Sequence, residues 1–217
     1  MEKKENLLGY SINSLEVFFA SINEPKFRAK QVLKWIHQKG ITDFNQMTDL
    51  NKLLREKLES IACIIPPEVE EIHSSPEGTK KYLIKLSSGS MVEMVKIPEK
   101  KRMTLCISSQ AGCALQCTFC ATGAQGFEKN LTADEIIGQV WLANFHEDDV
   151  TPITNVVFMG MGEPLLNFNP VIESAKIMKD QMAYGLSRKR ITISTSGITP
   201  QIDKLSESID VSLAISL

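Results

Sequence analysis

The chain has 217 residues, of which 43% are hydrophobic and 23% charged, and its formal net charge is −2. This composition is typical of a globular protein with one large domain or two small ones. An apolar run of about 18 residues is absent, and no apolar region follows the basic N-terminal residues, which argues against a membrane span and a secretory signal. Because the net charge is near zero, any contact with nucleic acid must come from a local basic patch.

The first 66 residues are predicted to form a small helical domain. Hydrophobic residues recur three and four positions apart in three stretches between positions 11 and 61, which is the spacing of a buried helix face. Pro66 and Pro67 interrupt this pattern, so we expect the helical region to end there.

Residues 67–102 are predicted to form a β-hairpin followed by a linker. The stretches 80–86 and 90–97 are rich in strand-forming residues, and the Ser-Ser-Gly sequence at 87–89 between them is typical of a turn. The segment 98–102 is charged, and we expect it to link the hairpin to the rest of the chain.

From residue 103 to residue 217, short apolar strands alternate with amphipathic helices. Thr132 and Glu135 form a capping-box pattern that opens the first helix, and a proline at position 170 or 200 opens each of the next two. This order predicts an α/β fold in which βα units build a parallel sheet. The four predicted strands cover residues 104–108, 153–159, 190–194 and 210–217.

The chain stops at Leu217, inside the last predicted strand and without a polar tail. A parallel strand is normally followed by a helix that covers it, and a closed (β/α) barrel needs about eight strands. We therefore expect a C-terminally truncated part of a longer protein, the alternative being a small open sheet that ends naturally.

Three cysteines are concentrated in a short loop after the first of these strands. Cys113, Cys117 and Cys120 have the spacing C-x3-C-x2-C, which suits three thiolate ligands around one 4Fe-4S cluster. The fourth iron would then have no protein ligand and could bind a small molecule. The odd total of five cysteines and their uneven spacing argue against a disulfide framework and favour thiols kept reduced in a cytoplasm.

Two other kinds of metal site fit this loop less well. A structural zinc site normally has four ligands in two pairs, and none of the three histidines lies near the loop in the sequence. A cluster with four cysteine ligands would need Cys106 or Cys63. Cys106 lies in the preceding strand, and Cys63 lies in an apolar segment where a buried structural role is expected.

The cysteine spacing, with Phe119 directly before the third cysteine, resembles the signature of radical S-adenosylmethionine (SAM) enzymes. Longer motifs resemble the RlmN family, whose members methylate carbon-2 of adenosine in 23S ribosomal RNA and in transfer RNA. The similarity extends over essentially the whole chain, and its motifs are VEMV at 92–95, TLCISSQ at 104–110, GCAL at 112–115, IIGQVW at 136–141, GMGEPLLN at 160–167 and STSG at 194–197.

This resemblance implies a fold, cofactors and partners. The fold would be α/β, with a partial radical-SAM (β/α) barrel at 103–217 preceded by the helical domain at 1–66 and the hairpin region at 67–102. The cofactors would be a 4Fe-4S cluster and S-adenosyl-L-methionine. The partners would be ribosomal RNA, transfer RNA and a low-potential electron donor such as flavodoxin, in the cytoplasm and without a membrane.

The resemblance also assigns roles to single residues. Glu93 would accept a proton. Cys106 would face a methyl-carrying cysteine, help to deprotonate the adenine adduct and form the disulfide that releases the product. Because ligands bind at the carboxyl ends of parallel strands, the residues after the strands are expected to converge. Cluster ligands would be Cys113, Cys117 and Cys120, and the cofactor site would contain Phe119, Gly162, Glu163, Ser194, Ser216 and Leu217.

Two basic clusters are candidate RNA contacts, although a solvated helix face or strand edge is the commoner explanation of such runs. The family's methyl-carrying cysteine has no counterpart in the 217 residues. The alternative hypothesis is therefore a non-catalytic fragment that binds RNA or cofactor, and a zinc-stabilised binding module is a weaker third reading. The clusters are Lys26, Arg28, Lys30, Lys34, His37 and Lys39, with Phe27 and Trp35 among them, and Arg188, Lys189 and Arg190.

Overall fold

The computed structural model describes residues 4–115, 117–118, 120–147 and 151–216. Its N-terminal region contains the three helices that the hydrophobic spacing predicts. Each of the first and third begins at a side-chain cap, since Ser11 accepts a hydrogen bond from the Ser14 amide and Asn51 accepts one from the Leu54 amide. The helices are α1 (Ile12–Ser21), α2 (Arg28–His37) and α3 (Lys52–Ile61), and the parallel strands β1 (Glu5–Asn6) and β2 (Ala62–Cys63) join the two ends of the region.

Four antiparallel strands follow, and they confirm the predicted hairpin. The segment 98–102 differs from the expected linker, because Pro98 pairs with Met103 and Glu99 pairs with Arg102 within one ladder. The first of the four strands was not predicted, since almost all of its residues are exposed and it forms a charged edge of the sheet. The strands are β3 (Glu68–Ser74), β4 (Lys80–Lys85), β5 (Met91–Glu99) and β6 (Arg102–Cys106).

The cysteine loop contains short elements of its own, which the sequence patterns do not predict. Strand β7 (Gln110–Gly112) pairs antiparallel with β8 (Phe127–Asn130), and the short helix α4 (Ala121–Gln125) lies between them. The three cysteines therefore lie in a loop whose two ends are held together by the β7–β8 ladder.

The remaining strands are parallel, as the alternation of strands and helices predicts. Strand β6 pairs with β9, β9 with β10 and β10 with β11, so one seven-stranded sheet has the order β11-β10-β9-β6-β5-β4-β3. The predicted capping box of Thr132 and Glu135 is confirmed at the start of the first covering helix. The elements are α5 (Ala133–Phe145), β9 (Asn155–Phe158), α6 (Phe168–Lys179), β10 (Ile191–Thr195), α7 (Thr199–Ser208) and β11 (Ser212–Ile215).

Helices α5 and α6 cover one face of the sheet, and the N-terminal helices pack on their outer side. The indole N–H of Trp141 in α5 donates to the carbonyl of Ile36 in α2 at 3.0 Å. Glu173 in α6 accepts hydrogen bonds from the Ser11 amide and the Ser14 hydroxyl at the start of α1. Within the described residues, no helix is long and apolar enough to cross a membrane.

Candidate functional site at the carboxyl ends of the parallel strands

Four segments meet at one edge of the sheet. The cysteine loop follows β6, the glycine turn 160–163 follows β9, the segment 196–198 follows β10, and Ser216 follows β11. Because these four strands run parallel, their carboxyl ends lie at the same edge. The structure thus brings together the segments that were expected to converge.

The cysteine loop is closed at its base by backbone contacts. The Cys113 amide donates to the Gly126 carbonyl at 2.9 Å. Gly112 has a φ of +71°, and a Cβ there would lie 1.9 Å from the Gly126 oxygen. Only glycine fits this position, because a side chain would collide with the other end of the loop.

No disulfide joins any of the five cysteines, all of which lie within the described residues, so the structure does not support the expected disulfide of Cys106. Cys113 is buried, and Cys117 and Cys120 are half-buried. No three His, Cys, Asp or Glu side chains of the described residues are grouped closely enough to hold a metal ion. The donor set itself, three free thiols within eight residues, fits an iron–sulfur cluster.

The glycine turn is bonded directly to the first residues after β6. The carbonyl of Met161 accepts from the amides of Ser109 at 2.9 Å and Gln110 at 3.1 Å. The hydroxyl of Ser108 accepts from the Met161 amide at 2.9 Å and donates to the Glu93 carbonyl at 2.6 Å. The turn, the base of the cysteine loop and β5 therefore form one bonded unit.

Gly162 and Glu163, both predicted cofactor residues, are fixed by this packing. Gly162 has a φ of +94°, and a Cβ there would lie 2.4 Å from the Cβ of Gln110. The Glu163 carboxylate is buried and accepts from the Leu165 amide at 3.0 Å. It also accepts from the Ser196 amide at 2.9 Å and the Ser196 hydroxyl at 3.1 Å.

The register of the sheet places four predicted site residues on one face. Paired residues of neighbouring strands share a face, as do residues two apart in one strand. By these rules Glu93, Cys106, Ser194 and Ser216 lie on the same face. Lys96 points to the opposite face, where its ammonium donates to a carbonyl of α5. The four residues therefore line the face that α5 leaves open.

The contacts of these side chains bear on their expected roles. The hydroxyls of Ser194 and Ser216 are 3.5 Å apart. The Glu93 carboxylate is half-exposed and forms an ion pair with the Lys81 ammonium at 2.9 Å. Burial raises the pKa of the Cys106 thiol, although a hydrogen bond with the Met159 backbone acts in the other direction. Cys106 is therefore a protonated thiol at neutral pH.

Three polar residues of the site, two of them buried, were not predicted as functional. The Gln139 amide donates to the Ser108 carbonyl and accepts from the Ser108 amide, both at 2.8 Å. The Asn167 amide donates to the Ser109 carbonyl at 2.8 Å, and Ser196 donates to Glu163 as described above. The sequence offers one signal for Gln139, because it is the single polar side chain in the apolar stretch 136–143 of α5.

Some predicted residues lie elsewhere or outside the described residues. Phe119 and Leu217 lie outside the described residues. His37 was counted as a basic RNA contact, which is wrong, because it is only 2% exposed and burial lowers its pKa to about 3, against a smaller opposing effect of the Leu8 backbone. The segment Arg188–Arg190 leads into the amino end of β10, so it lies at the sheet edge opposite the site.

Two family models match the chain. Residues 5–64 match the ribosomal RNA large subunit methyltransferase N-terminal domain, and residues 107–217 match the radical SAM superfamily. Together, these matches cover the N-terminal helices, the cysteine loop and the three parallel strands that follow it.

The chain is also similar to curated proteins. It is 58% identical to "Dual-specificity RNA methyltransferase RlmN" of Pseudomonas putida strain F1, over 99% of this chain and 58% of that protein. Proteins of the same name from Pseudomonas fluorescens strain SBW25 and Marinobacter nauticus are 55% and 53% identical, each over 99% of this chain and over 57% and 59% of their own lengths. The chain thus spans less than two thirds of the relatives it matches.

A solved structure has a closely similar fold. The crystal structure of a radical SAM methyltransferase from Sphaerobacter thermophilus superimposes with a TM-score of 0.89 at 35% sequence identity. The match covers 98% of this chain and 63% of that protein.

Proposed function

Because the chain belongs to the radical SAM superfamily and, within it, to the RlmN family, we propose that it is the cluster- and cofactor-binding part of an RNA methyltransferase. The methylated atom would be carbon-2 of adenosine in 23S ribosomal RNA and transfer RNA. One observation carries the proposal: a loop with three free cysteines is bonded, through Ser109, Gln110 and Met161, to a glycine turn at the carboxyl ends of a parallel sheet.

Cys113, Cys117 and Cys120 would hold a 4Fe-4S cluster and would leave one of its irons open to S-adenosyl-L-methionine. When bound, these cofactors supply a carbon radical, which adenine carbon-2 requires because this electron-poor atom is no nucleophile toward a sulfonium. A low-potential donor such as flavodoxin would supply the electron. Free thiols of this kind suit a reducing cytoplasm.

Gly162, Glu163, Ser194 and Ser216 would bind the organic cofactor, together with Phe119 and Leu217 by resemblance. A carboxylate has about four acceptor positions, and three donors already occupy the Glu163 carboxylate, so about one position is left for a cofactor N–H group. The adjacent hydroxyls of Ser194 and Ser216 would suit its ribose or carboxylate.

Glu93 and Cys106 would serve the substrate base, since both lie on the open face of the sheet. Glu93 would accept a proton, and its ion pair with Lys81 holds the carboxylate in place. Cys106 would contribute a thiol. An adenosine that reaches this face must be unpaired or flipped out of its stack.

The exposed lysines in and beside α2 would contact RNA phosphates. Lys26, Lys30, Lys34 and Lys39 are exposed, and the Lys39 ammonium lies 3.3 Å from the ring centre of Trp35. Reversing the charge with the double variant Lys30→Glu/Lys34→Glu should weaken RNA binding and flatten its salt dependence, since fewer counterions are released. The control Lys189→Glu, at the opposite sheet edge, should bind RNA like the unchanged protein.

Cluster binding is tested by anaerobic reconstitution with iron and sulfide. About four irons should bind per chain. The variants Cys113→Ala, Cys117→Ala and Cys120→Ala should each lose the broad iron–sulfur absorbance, whereas Cys63→Ala and Cys106→Ala should keep it. Loss of the cluster in the Cys106→Ala protein would contradict the three-cysteine assignment, and zinc in place of iron would contradict the function.

Activity separates the methyltransferase from a binding protein without turnover. The reconstituted protein is incubated with unmodified ribosomal RNA, transfer RNA, reductant and methyl-labelled S-adenosylmethionine, and the nucleosides are analysed. By resemblance these 217 residues hold no methyl-carrying cysteine, so they should release 5′-deoxyadenosine from the cofactor without forming labelled 2-methyladenosine. RNA and cofactor binding without release of 5′-deoxyadenosine would favour the binding protein.

A further inference from the structure

The side-chain amide of Gln110 lies buried between the glycine turn and the far end of the cysteine loop. Its Oε1 accepts from the Glu163 amide at 2.8 Å, and its Nε2 donates to Asn130 Oδ1 at 2.8 Å. The residue is only 1% exposed, so water cannot replace either bond. Gln110 thus connects two segments that are separated by more than thirty positions in the sequence.

Gln110 holds the turn by packing as well. Its Cβ and Cγ occupy the space that a side chain at Gly162 would need, at 2.4 and 2.6 Å from the position of such a Cβ. Its own amide donates to the Met161 carbonyl at 3.1 Å. In the β7–β8 ladder it pairs with Asn130, so the same residue also closes the base of the cysteine loop.

The neighbouring buried amides act differently. Gln139 bonds to both main-chain groups of Ser108, and Asn167 bonds to the carbonyls of Ser109 and Leu131. The bonds of Gln139 fix the path of the chain after β6. Asn167 joins the segment after the turn to both ends of the loop, whereas Gln110 bonds to the turn itself, at the Glu163 amide.

We propose that Gln110 is a positioning residue that sets the 160–163 turn against the cysteine loop and thereby fixes the cofactor relative to the cluster. This rests on the proposed function, in which the turn binds S-adenosylmethionine and the loop binds the cluster. Gln110 acts through Glu163 and the turn, and it need not touch the cofactor.

The test compares two variants with a matched control. Gln110→Met keeps the length and packing of the side chain but removes both hydrogen bonds. Gln110→Glu keeps an acceptor for the Glu163 amide. The control Asn144→Leu removes another amide that joins two segments, since Asn144 donates to the Val140 carbonyl and accepts from the Ile153 amide, away from the site.

The first readout is the change in the electron paramagnetic resonance spectrum of the reduced cluster when S-adenosylmethionine is titrated. A lost buried hydrogen bond should weaken cofactor binding in Gln110→Met by roughly tenfold or more, with cluster content unchanged. Gln110→Glu should recover part of this loss. Asn144→Leu should bind the cofactor like the unchanged protein.

The second readout needs no cofactor. The Glu163 amide proton should exchange slowly with solvent in the unchanged cofactor-free chain and faster in Gln110→Met, while amides of β9 and β10 keep their protection. This readout remains decisive if the Gln110→Met protein assembles no cluster.

Unchanged cofactor affinity in Gln110→Met, or unchanged exchange at Glu163, would overturn the inference. An equal loss of affinity in Asn144→Leu would also overturn it, because the effect would then be a general loss of stability. If the unchanged protein binds no cluster or cofactor, the proposed function fails, and the exchange at Glu163 still decides whether Gln110 positions the turn.

Discussion

The buried carboxylate of Glu163 connects the glycine turn to the segment after β10. Changing Glu163 to Ala would remove the acceptor of three hydrogen bonds, namely those from the amides of Leu165 and Ser196 and from the Ser196 hydroxyl. We expect this change to lower the free energy of unfolding by about 2–4 kcal/mol, measured by urea denaturation. The control Glu207→Ala removes an exposed carboxylate and should change stability by less than about 0.5 kcal/mol. Equal losses in the two variants would contradict this account of Glu163.

Which residues matter at the site was only partly predictable from the sequence. The cysteine spacing and the motif around Gly162 can be recognised from the sequence, because few other kinds of site use these residue types at this spacing. The roles of Gln139 and Asn167 depend on main-chain groups that only the tertiary fold brings near them. No local pattern predicts that Ser196 is the partner of Glu163.

Most of the main helices and the parallel strands were predictable because each buries one regular face. Helices α1, α2 and α3 show the spacing of hydrophobic residues that a single packed face requires. Helix α5 is buried on all sides from Glu135 to Ala143, and its capping box marks where it begins. Strand β3 lacks such a face, and β7, β8 and α4 are too short to show a period. The charged segment 98–102 was predicted to be a linker, because its amino-acid composition does not indicate that it pairs within the β5–β6 ladder.

The closure of the cysteine loop depends on a glycine where the two ends of the loop touch. In Gly112→Ala the new Cβ would lie 1.9 Å from the Gly126 oxygen, so the β7–β8 ladder must open. We expect loss of cluster binding and a loss of stability of about 3 kcal/mol or more, measured by iron content and urea denaturation.

A matched variant separates this collision from the effect of glycine conformation alone. Gly89 also has a positive φ, +87°, but no atom lies within 4 Å of the Cβ position. Gly89→Ala should therefore cost only about 1–2 kcal/mol of left-handed strain and leave cluster binding intact. Cluster binding that survives in Gly112→Ala would show that the ladder does not hold the loop.

The N-terminal helices are joined to the rest of the fold by partly buried polar contacts with α6 and with the segment after it. The Nδ1 atom of His37 lies 3.1 Å from the Tyr184 hydroxyl, and Glu173 accepts hydrogen bonds from the Ser11 amide and the Ser14 hydroxyl. Both contacts contain a group that titrates. The attachment of the N-terminal helices should therefore depend on pH more strongly than the sheet does.

The direction of this dependence follows from the two pKa values. Burial lowers the pKa of His37 to about 3. When the pH falls below the ordinary pKa of 6.5, His37 therefore binds a proton in the unfolded state but stays neutral in the folded state. Burial alone would raise the pKa of Glu173, but hydrogen bonds from Ser11 and Ser14 outweigh it and lower the pKa below 4.5. Both groups therefore stabilise the folded state at neutral pH, and both contributions decline as the pH falls.

As the pH falls from about 7 to about 5, we expect the His37 contribution to decrease by up to about 1.4 kcal/mol per pH unit. Amides of α1 and α2 should then lose protection against hydrogen exchange before those of β9 and β10, after correction for intrinsic exchange rates. His37→Gln should remove most of this difference, whereas His73→Gln, at an exposed position on the edge strand β3, should preserve it. If α1, α2, β9 and β10 lose protection together, the molecule opens as a single unit and His37 does not control how the N-terminal helices attach to the rest of the fold.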